Sequence, residues 1–538
     1  MIYLYKKKHR ILAVFTVIAL VLTLVGCKDH SSDAVIRYEV NKLPSTIDPQ
    51  LASSPSELTM VTNIFEGLYR LNEGGAPVPA VAQSFEKSDN SLKYTFKIRK
   101  NAKWRGDIDI TAHDFVFALQ RAADPLTKAP LAKTLSCIKN MDKILAGSMQ
   151  LSSLGVTALD DDTLEIDLEY DNPQFLSLLC TPIAMPCNEA YFIETAGRYG
   201  LAADTIMTNG SFRVFSWQDK SIKLTSWDSY NGPFSANSAA VVFSLQENDM
   251  EQTVIERLSS GDIDCAEISD TQSLAAQNAG LQIFNAHNIS YVMYINPKIL
   301  NKPSKLPKIL KGSYNRERFR KNDDVLKYLE FADSLLPRSV MLNGEALREE
   351  SNVAYDFSYR PEEMKELLLE EIKNIDDERV PPITLEYADA LGIKEIATAI
   401  AIDWQEALGI YANVVPDSTD SLLKKSETGN FQVIIIPLIS VDNTATAFFA
   451  NFRSGTETNK MKYFDPTFDK AYDEFLNYQY GGDALKYAEN VERILVQSDN
   501  IVPIAFGNSR CAVSKNITHM SYPIGGGSID FAFTHKKS

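Results

Sequence analysis

One carboxylate, Asp442, follows a strongly apolar run in FQVIIIPLISVDNTATAFF (residues 431–449). Five of the six residues 433–438 are apolar besides containing Pro437, the composition of a buried strand. A carboxylate at the end of such a strand meets a ligand, a proton or water, and each partner means different chemistry. The other chemically capable residues are scattered. Asp107 and Asp109 bracket Ile108, and Asp160, Asp161 and Asp162 form a run; both patterns suit turns and solvated faces better than an acid–base pair or a calcium site. His9, His30 and His535 lie near the termini, and His113, His287 and His519 are isolated from one another along the chain. No phosphate-binding P-loop, HExxH, GxSxG or EF-hand pattern occurs, and Gly525, Gly526, Gly527 and Ser528 follow Pro523 as a turn rather than a phosphate cradle. An enzymatic reading therefore has no residue set to stand on. A secreted hydrolase would require a nucleophile and base brought together only by folding.

The elements that must position these residues alternate between strand and helix. Residues 35–40 read as a strand. Ser54-Pro55-Ser56-Glu57 is a capping box with proline in the first turn, opening a helix with Leu58, Val61, Ile64, Phe65 and Leu68 at helical spacing. Residues 92–98 alternate as a half-buried strand, Thr111 with Asp114 caps a second helix, and 164–168 alternate again. Residues 212–217 and 222–227 form a hairpin. A β-α-β pattern covers 241–266, with Gly261 closing its helix. Residues 291–295 are an apolar strand, and 302–324 are basic and poorly patterned, predicting partial loop. A helix over 361–372 carries Glu362 and Glu363 in its first turn, where the helix dipole favours acids. A second β-α-β unit spans 383–415. The strand 433–438, a helix over 484–496 and a buried strand at 502–506 complete an α/β chain of several lobes. No repeat of 20–50 residues stands out.

Length, charge and cysteine bound the class. At 538 residues the chain exceeds one core and suggests two to four domains. The formal net charge is −16, and residues 1–26 carry four basic residues and no acid, so the remainder from Cys27 carries −20. Such a balance repels phosphate backbones and disfavours nucleic acid as a partner. Lys6 to Arg10 followed by the apolar run 11–25 reads as a leader, too short to favour a membrane span. It ends in Leu24-Val25-Gly26-Cys27, which resembles a lipobox. The resemblance implies a signal peptide at 1–26, lipid on Cys27 and a tether at 27–33; a short anchor helix or a plain secretion signal is the alternative. Five further cysteines, an odd count, leave at least one thiol free or in an intermolecular bond. Cys180 and Cys187 are candidates either for pairing or for small buried thiols.

Several stretches, in order, resemble the family 5 extracellular solute-binding proteins, the oligopeptide-binding lipoproteins of ABC importers. They are STIDP at 45–49, IFEGLYRLNEGGAPVPAVAQSFEKSDNSLKYTFKIRKNAKW at 64–104 and ITAHDFVFALQRAADP at 110–125. Then come TNGSFRVFSW at 208–217, SGDIDCAEIS at 260–269, NRERF at 315–319, WQEALGI at 404–410, YFDPTFDKAYDE at 463–474 and VPIAF at 502–506. The resemblance covers about 480 residues and implies an α/β, two-lobed periplasmic-binding-protein-like fold of type II, cluster C, with an additional inserted subdomain. Lobe one would combine 34–65, 190–288 and 505–538. The inserted subdomain would cover 66–190 and lobe two 289–504. The implied function is a non-enzymatic, lipid-anchored receptor on the extracytoplasmic face. It would capture a peptide or peptide-like solute in the interlobe cleft and deliver it to an ABC permease, acting as a monomer with no metal or organic cofactor. A sensor or adhesion lipoprotein that reuses the fold without transport is the alternative.

By position, the resemblance carries over Ser53 and Ser54 before the first helix, Glu267 and Ser269 after the strand at 263–266, and His287 and Tyr291 at the entry to lobe two. Leu438, Ser440 and Asp442 follow the opening strand, and Phe506 lies on the last crossing strand. Trp104 and Trp217 are assigned to packing. Departures matter here. Where the family carries a tryptophan and then an aspartate that pairs with the peptide amine, ungapped alignment places Leu438 and Val441, and Asp442 falls one residue late. One step in an extended segment turns a side chain to the other face. The segment after Trp104 departs from the usual glycine turn, and 321–355 is short, which points to a specialised cleft.

Overall fold

The computed structural model describes residues 34–172, 174–247, 252–300, 302–326, 328–343, 345–375, 379–439, 444–456, 458–479, 482–522 and 528–537. The leader, Cys27 and the tether lie outside the described residues. Among those described, no helix is long and apolar enough to cross a membrane.

Three sheets organise the chain. The first has seven strands in the order Phe212–Gln218, Ser221–Ser226, Ala240–Leu245, Val35–Val40, Cys265–Ile268, Arg510–Val513 and Gln282–Asn285. Val35–Val40 runs parallel to both its neighbours. The second has six strands in the order Glu330–Phe331, Ile501–Gly507, Ile289–Ile295, Val433–Ile439, Ile383–Ala388 and Ala412–Asp417. Every residue of Ile289–Ile295 and Ile501–Gly507 is buried. Strands covered on both faces lose the polar alternation, which is why 433–438 reads as an unbroken apolar run. Tyr291 and Met293 enter one core beneath this sheet, and Val292 and Tyr294 enter another above it. The third sheet has four antiparallel strands, Ala82–Lys87, Lys93–Ile98, Thr163–Asp167 and Val156–Asp160. Its strand Lys93–Ile98 alternates buried and solvated residues, as its sequence predicts.

The third sheet shares a core with the first. Phe65 meets Trp104 edge to face, with ring centroids 6.3 Å apart. Two of the quoted motifs are tied together here. Arg121, from ALQRAADP, donates from Nη2 and Nη1 to the two Asp48 oxygens of STIDP at 2.6 and 3.2 Å, and from Nη1 to Gln50 Oε1 at 2.7 Å. Its guanidinium also lies 4.0 Å from the Phe192 ring centroid. Trp104 is fully buried and donates from Nε1 to Asp114, the acid that completes the capping box with Thr111.

Helix signals appear where the caps are. The box at Ser54 and Glu57 opens the helix Pro55–Ile64, which ends before the expected Phe65 and Leu68 because Phe65 turns extended as its C-cap, and Gly261, at φ 83°, closes Val254–Ser260. The basic stretch 302–324 is partly loop, as its pattern predicts, but it is more helical than the pattern shows. It holds the helices Leu306–Gly312 and Arg316–Arg320. Pro307 sits in the first turn, where its missing N–H costs nothing, and Trp404 Nε1 donates to the Leu310 carbonyl at 2.8 Å, anchoring the helix from 94 residues away. Cys180 and Cys187 are free thiols, each pushed up to about 12 by burial.

Candidate functional site

Two neighbouring segments pass between the first and second sheets. One leads from Gln282–Asn285 into Ile289–Ile295, and the other leads from Ile501–Gly507 into Arg510–Val513. They are bonded to each other where they cross. Ala286 N–H donates to the Ser509 carbonyl at 3.0 Å, His287 N–H to Asn508 Oδ1 at 2.9 Å and Ser509 N–H to Asn288 Oδ1 at 3.0 Å. His287 takes a left-handed backbone, φ 47°, which is uncommon outside glycine.

Strand ends from both sheets converge on this crossing. Ile439, last in its strand, pairs with Ile289, the first residue past the crossing, so the segment with Ser440 and Asp442 continues from that end of the second sheet. Ser440 and Asp442 themselves lie outside the described residues. On the first sheet the strand is Cys265–Ile268 rather than 263–266, so Glu267 lies within it; Ile268 pairs with Arg510, which places Glu267 and Ser269 at its carboxyl end beside the crossing. Ligands of open α/β sheets settle outside strand carboxyl ends.

The described candidates differ in what their groups do. Glu267 is part-exposed, accepts from Asn41 N–H at 2.9 Å, and has its carboxyl raised by burial against the partly offsetting bonds of Asn41 and Tyr38. His287 points its imidazole Nδ1 toward Glu330 Oε1 at 3.7 Å, and Glu330 accepts from Arg338 Nε at 2.8 Å. His287, Glu330, Arg338, Phe506, Gly507 and Asn508 line one small recess. Phe506 is buried there with the Arg348 guanidinium 4.6 Å from its ring centroid. Tyr291 is buried, and its hydroxyl is pushed up to about 12 by desolvation. A Cβ on Gly507 would stand 2.8 Å from Tyr291 Cε2, so glycine is what lets this ring lie across the strand.

Four further candidates occupy structural positions. Ser54 is the N-cap of Pro55–Ile64, and Ser53 N–H donates to Glu57 Oε2 at 3.0 Å. Ser269 caps Asp270–Asn278 in a box with Gln272. Leu438 is buried in the core above the second sheet. Trp217 is only partly buried, packed against the first core. Among the described residues, no group of three or more His, Cys, Asp or Glu is gathered to hold a metal ion.

Sequence reasoning missed Arg338, Glu330 and Asn508, which the fold brings to the recess from distant parts of the chain. Polar residues without a motif gave no signal. It also missed a cavity of about 760 Å³ bordered by Arg316, Arg348, Phe357 and Glu492, among others.

The comparisons with known proteins agree with this architecture. The periplasmic oligopeptide-binding protein OppA of Salmonella typhimurium is 28% identical over 484 residues, 87% of this chain and 84% of that protein. The dipeptide-binding protein DppE of Bacillus subtilis is 25% identical over 498 residues, 89% of this chain and 88% of that protein. The solved structure of Haemophilus influenzae OppA in complex with RPPGFSPFR superposes with a TM-score of 0.77 at 22% identity, covering 94% of this chain and 99% of the other. These neighbours share the two-lobed periplasmic-binding-protein-like fold. The family profile of the bacterial extracellular solute-binding proteins, family 5, matches residues 76–460, and to that family this chain belongs.

Proposed function

We propose that this protein is a lipid-anchored extracytoplasmic receptor that captures a peptide or peptide-like solute and hands it to an ABC permease. The lobes would be 34–65 with 190–288 and 505–538, and 289–504, with 66–190 inserted. The carrying observation is the bonded crossing of Ala286–Asn288 with Asn508 and Ser509 between two sheets whose strand ends converge there. Two lobes on a paired crossing close by rotation about it, and a ligand touching both lobes only when closed stabilises the closed form. Candidate ligand groups are Glu267 on one side, His287, Tyr291 and Phe506 at the crossing, and the segment with Ser440 and Asp442 on the other. Lipid on Cys27 would hold the receptor beside the permease. The relatives named for oligopeptide and dipeptide binding support the ligand class.

The test is a thermal-shift screen of the full chain in detergent against pools of short peptides, with N-acetylated copies of each pool. Stabilisation by peptides is the expected result. An unchanged melting temperature with every pool at millimolar concentration would sink the peptide assignment.

A further inference from the structure

The cavity of about 760 Å³ is built from residues of one stretch, Asn315 to Tyr359, together with Glu492. None of the candidates for the peptide cleft lines it. Its charges are paired almost completely. Arg320 meets Glu317 at 3.2 Å, Arg348 pairs with Asp333, and Asp356 pairs with Arg360. Glu492 accepts from the backbone N–H groups of Leu335 and Leu336 at 2.7 and 3.0 Å and from the Tyr355 hydroxyl at 2.8 Å.

Arg316 is the exception. It is 5% exposed, and its Nη2 donates to the Ala332 carbonyl. Nε and Nη1 are buried with no hydrogen-bond partner, and Arg316 forms no ion pair among the described residues. The Phe357 and Phe331 ring centroids lie 3.8 and 4.8 Å from its guanidinium. Aromatic faces attract a cation but cannot replace hydrogen bonds to a planar five-donor group. A buried cation without a counter-charge costs stability, and burial lowers Arg316 to about 10. The part-buried Phe357 belongs to residues 351–360, a segment with neither helix nor strand. Its ring is therefore held by side-chain contacts rather than by a backbone ladder.

We propose that this cavity is a second ligand site, separate from the peptide cleft, in which Arg316 holds a small carboxylate- or phosphate-bearing solute after the Phe357 ring gives way. Carboxylate and phosphate are the groups whose paired oxygens match a guanidinium fork. Displacing the ring exchanges one cation–π contact for a bidentate pair of charge-assisted hydrogen bonds, one on Nη1, which now has no partner, and the other on the second hydrogen of Nη2. No lining residue is shared with the peptide candidates, although the two places adjoin where Arg348 of this cavity lies 4.6 Å from the Phe506 ring centroid.

The experiment is calorimetric titration of the full chain in detergent with inorganic phosphate and, separately, with acetate, at fixed ionic strength. Saturable one-to-one binding of either anion is expected, and the arm that binds tells phosphate from carboxylate. Arg316→Gln should weaken it at least tenfold, and Phe357→Ala should tighten it severalfold by removing the covering ring. Ala354→Trp, at an exposed position on the cavity rim, should block binding while leaving Arg316 in place, so the result stands even if Arg316→Gln fails to fold. Absence of saturable binding by both anions, or binding unaltered in Ala354→Trp, overturns the proposal.

Discussion

The backbone N–H of His287 donates to Oδ1 of Asn508 at 2.9 Å, and one residue further on the favour is returned, Ser509 N–H donating to Oδ1 of Asn288 at 3.0 Å. Each crossing segment thus uses an asparagine side chain as a surrogate backbone acceptor for the other. Asn288 is 1% exposed, so its oxygen has no water to fall back on. The crossing is a pair of locally bonded segments rather than two loose linkers, and in the proposed two-lobe closure it would constrain the rotation.

Removing either acceptor should loosen that constraint. Asn288→Ala is expected to cost roughly 1–3 kcal/mol, because it removes a buried side chain and leaves the part-buried Ser509 N–H without its acceptor. Asn508→Ala, at a part-exposed site, should cost less, about 1 kcal/mol. Urea denaturation reads the stability, and small-angle scattering of ligand-free protein reads the lobe arrangement. An Asn288→Ala protein as stable as wild type would refute the acceptor role.

The Asp48–Arg121 pair should act as the tie between the first strand's loop and the helix Ala112–Ala123. Both groups are almost wholly buried and the pair is bidentate. Arg121→Met is expected to destabilise by roughly 3–5 kcal/mol, since it strands a buried carboxylate. Adding Asp48→Asn should recover part of that loss, because the stranded charge goes with it. Chemical denaturation of the two single variants and the double variant closes the cycle. A double variant whose loss equals the sum of the two single losses would show that the two residues do not interact.

Lys311 offers a pH signature. Its ammonium donates to the carbonyls of Val496 at 2.6 Å and Ile501 at 3.3 Å and to that of Ser498, so it caps the end of Ala484–Gln497. Burial brings it down from 10.5 to about 8. Between those values the unfolded chain binds more protons than the folded one, so this group's contribution to stability rises with pH from about 8 to 10.5 and is flat below. The rise is at most roughly 3 kcal/mol, and the carbonyl acceptors reduce it. The checking measurement is the difference between wild-type and Lys311→Met denaturation at a series of pH values. A difference that does not change across pH 8 to 10.5 would refute the lowered titration.

The sequence made legible what is local. Strand period, capping boxes and Gly261 mark elements that the structure places almost residue for residue, because each signal is set within a few positions. The helices in 302–324 were hidden, since their stability comes from the Trp404 anchor and the cores beneath the second sheet rather than from their own pattern. The crossing was legible only as apolar strands; the asparagine bonds that join it link residues 221 apart. Arg316 lies within a quoted motif, NRERF, yet nothing there shows that Phe357, 41 positions later, would cover it. Distance along the chain, not chemistry, separated what could be read from what could not.

The remaining prediction concerns the carboxylates on either side of the crossing. A peptide's free amine needs an anion that folding leaves without a cation of its own. Glu267 has part of that character: it is half-sheltered, its bonds come from neutral groups, Asn41 N–H and the Tyr38 hydroxyl, and it forms no ion pair among the described residues. Burial raises its pKa, however, so holding the charge costs more there than in water. Asp442 follows the strand Val433–Ile439 by three positions and stands one residue late against the family's pattern. Asp442→Asn is therefore expected to weaken free-amine peptides at least ~10-fold, the scale of one desolvated charge pair, while leaving N-acetylated copies unchanged. Calorimetric titration with matched free and acetylated peptides measures the ratio directly. If Asp442→Asn leaves the ratio intact and Glu267→Gln abolishes it, the amine is held from the first sheet, and the segment after Val433–Ile439 serves shape rather than charge.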